Sequence, residues 1–238
     1  MKIKLATRQS ELALFQANYV MNKIQIQHTE IEVELVPMTS EGDQTEKPLH
    51  EIGGKGLFVT KLESALETGE ADIAVHSLKD VPAKIDMKYS IAAIFEREDP
   101  SDVLLSRNGS SLADFSSNAS IGTSSPRRKA QILRARTDLN IIPVRGNIAT
   151  RIRKLHEGHF DGLIVAKAAL NRLNIELTNA YEFSMQEMLP AASQGFIGVE
   201  CLKSNKKIIS IMNRINNSSE MALANAEREF VASLNGSC

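Results

Sequence analysis

Short apolar runs of strand length alternate with stretches of helical period, and this alternation limits the fold more than any other feature. Residues 3–6 read as a buried strand. Ser10 then caps a helix in which Leu12, Leu14, Phe15, Tyr19, Val20 and Ile24 recur at helical spacing. Residues 31–36 alternate as a strand, 57–66 are helical, and 72–75 form a third short strand. A β-α-β-α-β order predicts an α/β domain with a largely parallel sheet. The rhythm returns after residue 102, with strands at 103–105, 120–121, 140–144 and 162–165 and helices after Pro126, after Asn147 and from Ala166. Residues 196–201 give one more strand, preceded by the turn-like Ala192-Ser193-Gln194-Gly195, and a helix follows over about 204–214. Asn217, with Glu220 three residues on, opens a last helix as a capping box, and Gly236 closes it. The acidic, proline-containing segment 96–102 marks a crossing point between two domains.

The bulk numbers exclude several classes. The 238 residues can bury a core without staples. With 28 Lys and Arg against 29 Asp and Glu, the chain is not a polyanion binder by net charge, so an anion site must come from local clustering. Aromatic content is 5%, too little for the stacking platforms of a single-stranded nucleic-acid binder. The apolar runs are too short to span a membrane, and the first ten residues lack the apolar region of a signal peptide. Two cysteines, Cys201 and Cys238, do not make a disulfide framework, and reduced thiols of a cytosolic protein are expected. Cys201 lies in an apolar strand and reads as a core residue. Cys238, two residues past a helix end, is either an exposed nucleophile or incidental.

Four places can carry chemistry. His76-Ser77-Leu78-Lys79-Asp80-Val81-Pro82 follows a buried strand, at the sheet edge where open α/β folds bind ligands. Its Lys-Asp pair is either a carboxylate that stabilises a cation or moves a proton, or a solvated ion pair on a turn. His76 has no second His or Cys at metal-ligand spacing, and no metal is expected. The stretch 121–154 carries nine basic residues against the single acid Asp138. Within it, Thr123-Ser124-Ser125-Pro126-Arg127-Arg128 and Arg145-Gly146-Asn147 through Arg151 are strand-to-helix turns whose free N–H groups and guanidinium forks suit carboxylates. Arg134, Arg136, Arg153 and Lys154 read equally well as exposed helix faces. Gly53-Gly54-Lys55-Gly56-Leu57-Phe58 lacks the spacing of a phosphate loop and reads as a lid with one lysine.

Taken in order, these segments resemble the hydroxymethylbilane synthase (porphobilinogen deaminase) family. The matching residues are Ala6-Thr7-Arg8-Gln9-Ser10, the lid glycines with Lys55 and Phe58, His76 to Pro82, Glu96-Arg97-Glu98-Asp99-Pro100, and Gly122 to Ser125. They continue with Arg127-Arg128, Arg145-Gly146-Asn147, Thr150-Arg151, and Gln194-Gly195 before Gly198-Val199-Glu200-Cys201. The resemblance implies two similar α/β domains like those of periplasmic binding proteins, a cleft between them, and a third domain reduced to a helix. Domain 1 would take 1–97 and 196–215, domain 2 98–195, and the remnant of domain 3 216–238. Family members continue past the cofactor cysteine, whereas this sequence stops there.

The resemblance also implies an enzyme that joins four porphobilinogen molecules on a dipyrromethane primer held by a thioether to Cys238, then releases the linear product. Asp80 would be the catalytic acid, with Lys79 and Arg8 beside it. Ser77, Lys79, Asp80, Thr123, Ser124, Ser125, Arg127, Arg128 and Arg145 would hold the cofactor. Arg8, Ser10, Lys55, Phe58, Arg145, Arg151, Arg172 and Gln194 would hold the substrate and the growing pyrrole chain. A monomeric cytoplasmic protein is implied, with no nucleic-acid or membrane partner. The alternative is an impaired homologue that binds porphobilinogen or another polycarboxylate without chemistry.

Overall fold

The computed structural model describes residues 1–39, 59–107, 109–176 and 180–236. Their contacts divide the chain into one unit of Met1–Glu98 with Ala192–Cys238 and a second of Asp99–Ala191. The chain thus leaves the first unit inside the acidic segment 96–102 and returns just before Gln194. The described part of 216–238, expected as a third-domain remnant, groups with the first unit.

The first unit is built on β1 (Lys2–Arg8), β2 (Glu32–Met38), β3 (Ile73–Ser77), β4 (Tyr89–Ile94) and β10 (Ile197–Leu202), in the order β2-β1-β3-β10-β4. β1 pairs in parallel with β2 and β3, while β10 runs antiparallel to both β3 and β4. The sheet is therefore mixed rather than largely parallel. Helix α1 (Glu11–Gln27) starts where the Ser10 hydroxyl accepts from the Ala13 N–H, and it buries Ala17, Val20 and Ile24 on one face of the sheet. Ile3, Leu5, Ile73, Val75, Val199 and Cys201 complete that core. The Cys201 thiol is pushed up to about 11, first by burial and then by Glu200. Helix α2 (Thr60–Thr68) packs Leu62 and Leu66 against Ala6 and Ala74 on the other face.

The second unit repeats this plan. Its strands are β5 (Asp102–Ser106), β6 (Ser120–Gly122), β7 (Asn140–Ile142), β8 (Gly162–Ala166) and β9 (Ala180–Glu182), in the order β7-β6-β8-β5-β9. β6 pairs in parallel with β7 and β8, and β5 is antiparallel to β8 and β9. Helices α3 (Pro126–Ala135), α4 (Ile148–His156) and α5 (Lys167–Arg172) connect them. Val103 and Leu105 face one core and Leu104 the other, which is why β5 and β8 read as unbroken apolar runs.

In each sheet three parallel strands are followed by one antiparallel strand, and that strand is the first the chain makes after changing units. Its first residues therefore fall at the carboxyl edge of the parallel strands. The chain closes with α6 (Lys206–Asn213) and α7 (Ser218–Ser233). The Asn217 side chain accepts from the Glu220 N–H as expected at the start of α7. The left-handed residue at its end is Asn235 (φ 52°) rather than Gly236, because asparagine tolerates that region.

Candidate active site

The carboxyl edge of the first sheet gathers most of the residues singled out in that unit. Arg8 ends β1 and is half-buried, and the Ser10 hydroxyl caps α1 by accepting from the Ala13 N–H. Ser77 ends β3, its hydroxyl 2.9 Å from the Nε2 of the buried Gln16 side chain. One 3-10 turn, Leu78–Asp80, follows directly. Its first residue is buried: the Leu78 N–H donates to Phe196 O at 3.0 Å, and a Cβ on Gly198 would lie 2.8 Å from Leu78 Cδ1. Fixing Leu78 leaves Lys79 and Asp80 half-buried at the edge. The Lys79 ammonium donates to the buried Gln194 Oε1 at 3.1 Å, because antiparallel β10 begins at this edge. Among the described residues, no hydrogen bond or ion pair engages the Asp80 carboxylate.

The turn before β10 needs unusual backbone. Ser193 and Gly195 both have positive φ, and a Cβ on Gly195 would stand 2.1 Å from Glu98 O. Beneath the edge, His76 Nε2 lies 2.9 Å from the fully buried Glu200 Oε2. His76 is thus half of a buried pair, and the described residues hold no cluster of three potential metal ligands. Burial, and next the nearby Glu200, raises the Glu63 carboxyl above its ordinary range.

The carboxyl edge of the second sheet carries Arg127, Arg128, Arg145 and Arg151 at two strand-to-helix turns. The Thr123 Oγ1 accepts from Ser125 N–H, the Ser125 Oγ accepts from Arg128 N–H as the α3 cap, and the Ser124 hydroxyl donates to Val144 O at 2.7 Å. The three hydroxyls therefore shape the turn. Asp102, fully buried at the start of β5, meets both arginines of that turn: Arg127 Nη2 at 2.7 Å from Oδ2 and Arg128 Nη2 at 2.7 Å from Oδ1. Burial pushes the Arg127 guanidinium below its usual value, Asp102 opposes that shift, and Arg128 adds to it. The Nε atoms of both arginines are buried without a hydrogen-bond partner. Arg145 precedes the Asn147 cap of α4, Arg151 lies in its first turn and donates to Gly146 O at 2.7 Å, and Arg172 is buried at the end of α5. Of the candidates, Lys55, Phe58 and Cys238 lie outside the described residues.

Sequence reasoning missed four residues that organise these edges: Gln16, Asp102, Glu227 and Arg228. Arg97, named in the sequence only within a matching segment and given no role there, works with them, donating to Gln194 O and to both Glu227 oxygens while stacking on Phe196. Asp102 had a readable signal, a charge directly before the apolar run Val103-Leu104-Leu105. The adjacent Glu227 and Arg228 look like any solvated pair on a helix.

The described donors of each unit suit an acidic ligand: the second unit offers guanidinium groups and helix starts, and the first offers Arg8 and the Lys79 ammonium beside the Asp80 carboxylate. Comparison with known families decides which acidic ligand is relevant. Residues 3–210 match the family model described as porphobilinogen deaminase, dipyromethane cofactor binding domain. The chain belongs to the porphobilinogen deaminase family. It is 47% identical to the porphobilinogen deaminase of Campylobacter hominis and 44% identical to that of Lawsonia intracellularis, in each case over 100% of this chain and 77% of the relative. Solved structures share the fold at low identity. The BvgS periplasmic VFT2 domain of Bordetella pertussis gives a TM-score of 0.53 at 13% identity, covering 98% of this chain and 92% of that one. An amino acid ABC transporter substrate-binding protein of Streptococcus pneumoniae gives 0.52 at 13%, covering 96% and 93%. The porphobilinogen deaminase family therefore carries a periplasmic-binding-protein-like plan here, with a dipyrromethane-binding domain spanning most of the chain. No described helix is long and apolar enough to cross a membrane.

Proposed function

We infer that the chain is a hydroxymethylbilane synthase, a transferase of tetrapyrrole biosynthesis, and that its two units divide the work of the reaction. The carrying observation is Asp80: a carboxylate set on a fixed turn at a sheet edge, unengaged among the described residues, in a family that handles pyrroles. Porphobilinogen loses ammonia to leave a cation conjugated with the pyrrole ring. An anionic oxygen facing that charge lowers the barrier, because a preorganised charge needs no solvent rearrangement as the reaction proceeds. The same carboxylate accepts pyrrole N–H groups and takes up the α-proton that the attacking pyrrole sheds to regain aromaticity.

Lys79, held by Gln194, balances the local charge and offers its ammonium to a ligand carboxylate. Arg8 and Ser10 are assigned to substrate carboxylates at the same edge. In the second unit Ser125, Arg127, Arg128, Arg145, Arg151 and Arg172 are assigned to acetate and propionate groups, while Ser124 shapes the turn that presents them. The residues fit the dipyrromethane by donor chemistry, since each pyrrole brings two carboxylates and guanidinium groups bind carboxylates bidentately. When bound, that group supplies the nucleophilic primer, and Cys238 is the proposed point of attachment. A monomeric cytoplasmic enzyme completes this reading, and sedimentation of the purified chain checks its size.

Asp80→Ala is the direct test. Turnover of porphobilinogen should fall by at least about 10²–10³-fold, the usual loss for a preorganised electrostatic group, with the thermal midpoint close to that of the unaltered chain. Turnover within a few-fold of the parent would remove Asp80 from this role.

A further inference from the structure

The geometry points to Arg228 as a positioning residue for Asp80, an inference that rests on the role just proposed for that carboxylate. Most of α7 is exposed, and its inward stripe consists of Met221, Ala224 and Arg228. Adhesion alone would be served by a third apolar residue, whereas a guanidinium loses hydration when it is buried. Arg228 is 8% exposed, and its N–H groups donate to three consecutive carbonyls, Val81 O at 3.2 Å, Pro82 O at 2.7 Å and Ala83 O at 3.3 Å. Those carbonyls follow Asp80 directly. Pro82 has no N–H with which to anchor the segment itself.

The turn bearing Asp80 is therefore held from two sides. Upstream, Leu78 is fixed on β10 and Lys79 on Gln194. Downstream, Arg228 fixes 81–83. Helix α7 does not depend on Arg228 to stay docked. Glu227 binds Arg97 and accepts from Ser193 N–H at 2.6 Å, the Asn217 N–H donates to Ile94 O, and the Ile94 N–H donates to Asn216 Oδ1. Removing the Arg228 fork should loosen the turn while the helix remains in place. A displacement of about 1 Å at a reacting group costs roughly 10²-fold in rate.

The test uses the full chain as purified, with the fraction carrying primer read by denatured mass. Arg228→Met, Arg228→Lys and Asp80→Asn are compared with the parent for kcat and KM toward porphobilinogen across pH, and for amide exchange at Val81. Arg228→Met should lower kcat by roughly 10²-fold with KM unchanged. Its kcat–pH profile should shift and Val81 exchange should quicken, while Arg228→Lys recovers part of the rate. Parental kcat and pH profile in Arg228→Met overturn the inference, whatever its thermal midpoint. If that variant does not fold, parental kinetics in Arg228→Lys overturn it. Parental turnover in Asp80→Asn instead removes the reading of Asp80 itself, which separates the two failures.

Discussion

Burying a carboxylate costs several kcal/mol unless its partners are close and well aimed. Asp102 is fully buried with a guanidinium on each oxygen, so it fixes the rotamers of Arg127 and Arg128 together. Asp102→Asn keeps the shape and removes the charge, leaving two crowded cations. It should cost about 3–5 kcal/mol of stability, the usual penalty for breaking a buried pair by one partner, read by urea denaturation of the purified chain. A loss under about 1 kcal/mol, the scale of an ordinary exposed pair, would mean that the arginines are held by other contacts. The positions of Arg127 and Arg128 at a strand-to-helix turn were legible, because Pro126 and the hydroxyls before it announce a helix start. Their common partner was not. It lies about 25 residues earlier, where a charge before an apolar run marks a strand start but names no partner. Arg228 was illegible for a different reason: its partners are backbone carbonyls, which have no sequence signature.

The parallel strands and their helices were legible element by element, because caps and periodicity agree at Ser10, Pro126, Asn147 and Asn217. β4 and β9 were not foreseen. β4 sets Ala92 and Ala93 between Ile91 and Ile94, and its burial does not alternate, so no period of two marks it. β9 has three residues, too few for any period to show. Their absence also hid the antiparallel half of each sheet. Side-chain hydrogen bonds join the strands that are short. The Asp161 Oδ2 accepts from both Ser120 N–H and Ser120 Oγ at 2.8 and 2.7 Å, tying the approach to β8 to the start of β6. The backbone bond first, and then the hydroxyl, lowers the Asp161 carboxyl below its ordinary range, against burial. A depressed folded-state value means stability that is present above the unfolded value of about 3.9 and is lost as pH falls through the folded one. Asp161→Asn should therefore cost about 1 kcal/mol near neutrality, with the gap to the parent narrowing below about pH 4. Thermal midpoints of both chains at several pH values check this, and a gap independent of pH would deny the carboxylate its part.

At the scale of the whole molecule, one unit is continuous in sequence and the other is interrupted by it. The second unit holds all five of its paired strands within Asp99–Ala191. The first does not complete its described sheet from residues 1–98, since among the described residues β4 pairs with β10 alone. A chain of residues 99–191 should therefore show a cooperative thermal transition, whereas one of residues 1–98 should not, as followed by far-UV circular dichroism. A cooperative transition in the shorter N-terminal piece would mean that β3 and β4 can pair without the strand between them. The sequence indicated a crossing at 96–102, but not which strand would return to lie between β3 and β4. Antiparallel insertion leaves no trace in local pattern.

The same strand order governs events on the ribosome. β4 is synthesised about a hundred residues before β10. At about 5–20 residues per second, its edge waits several seconds without a partner while the whole second unit emerges. The unit made from the middle of the chain can thus finish folding first. Its completion hands the nascent chain back to an open sheet in which the strand leading into the Asp80 turn still lacks its neighbour.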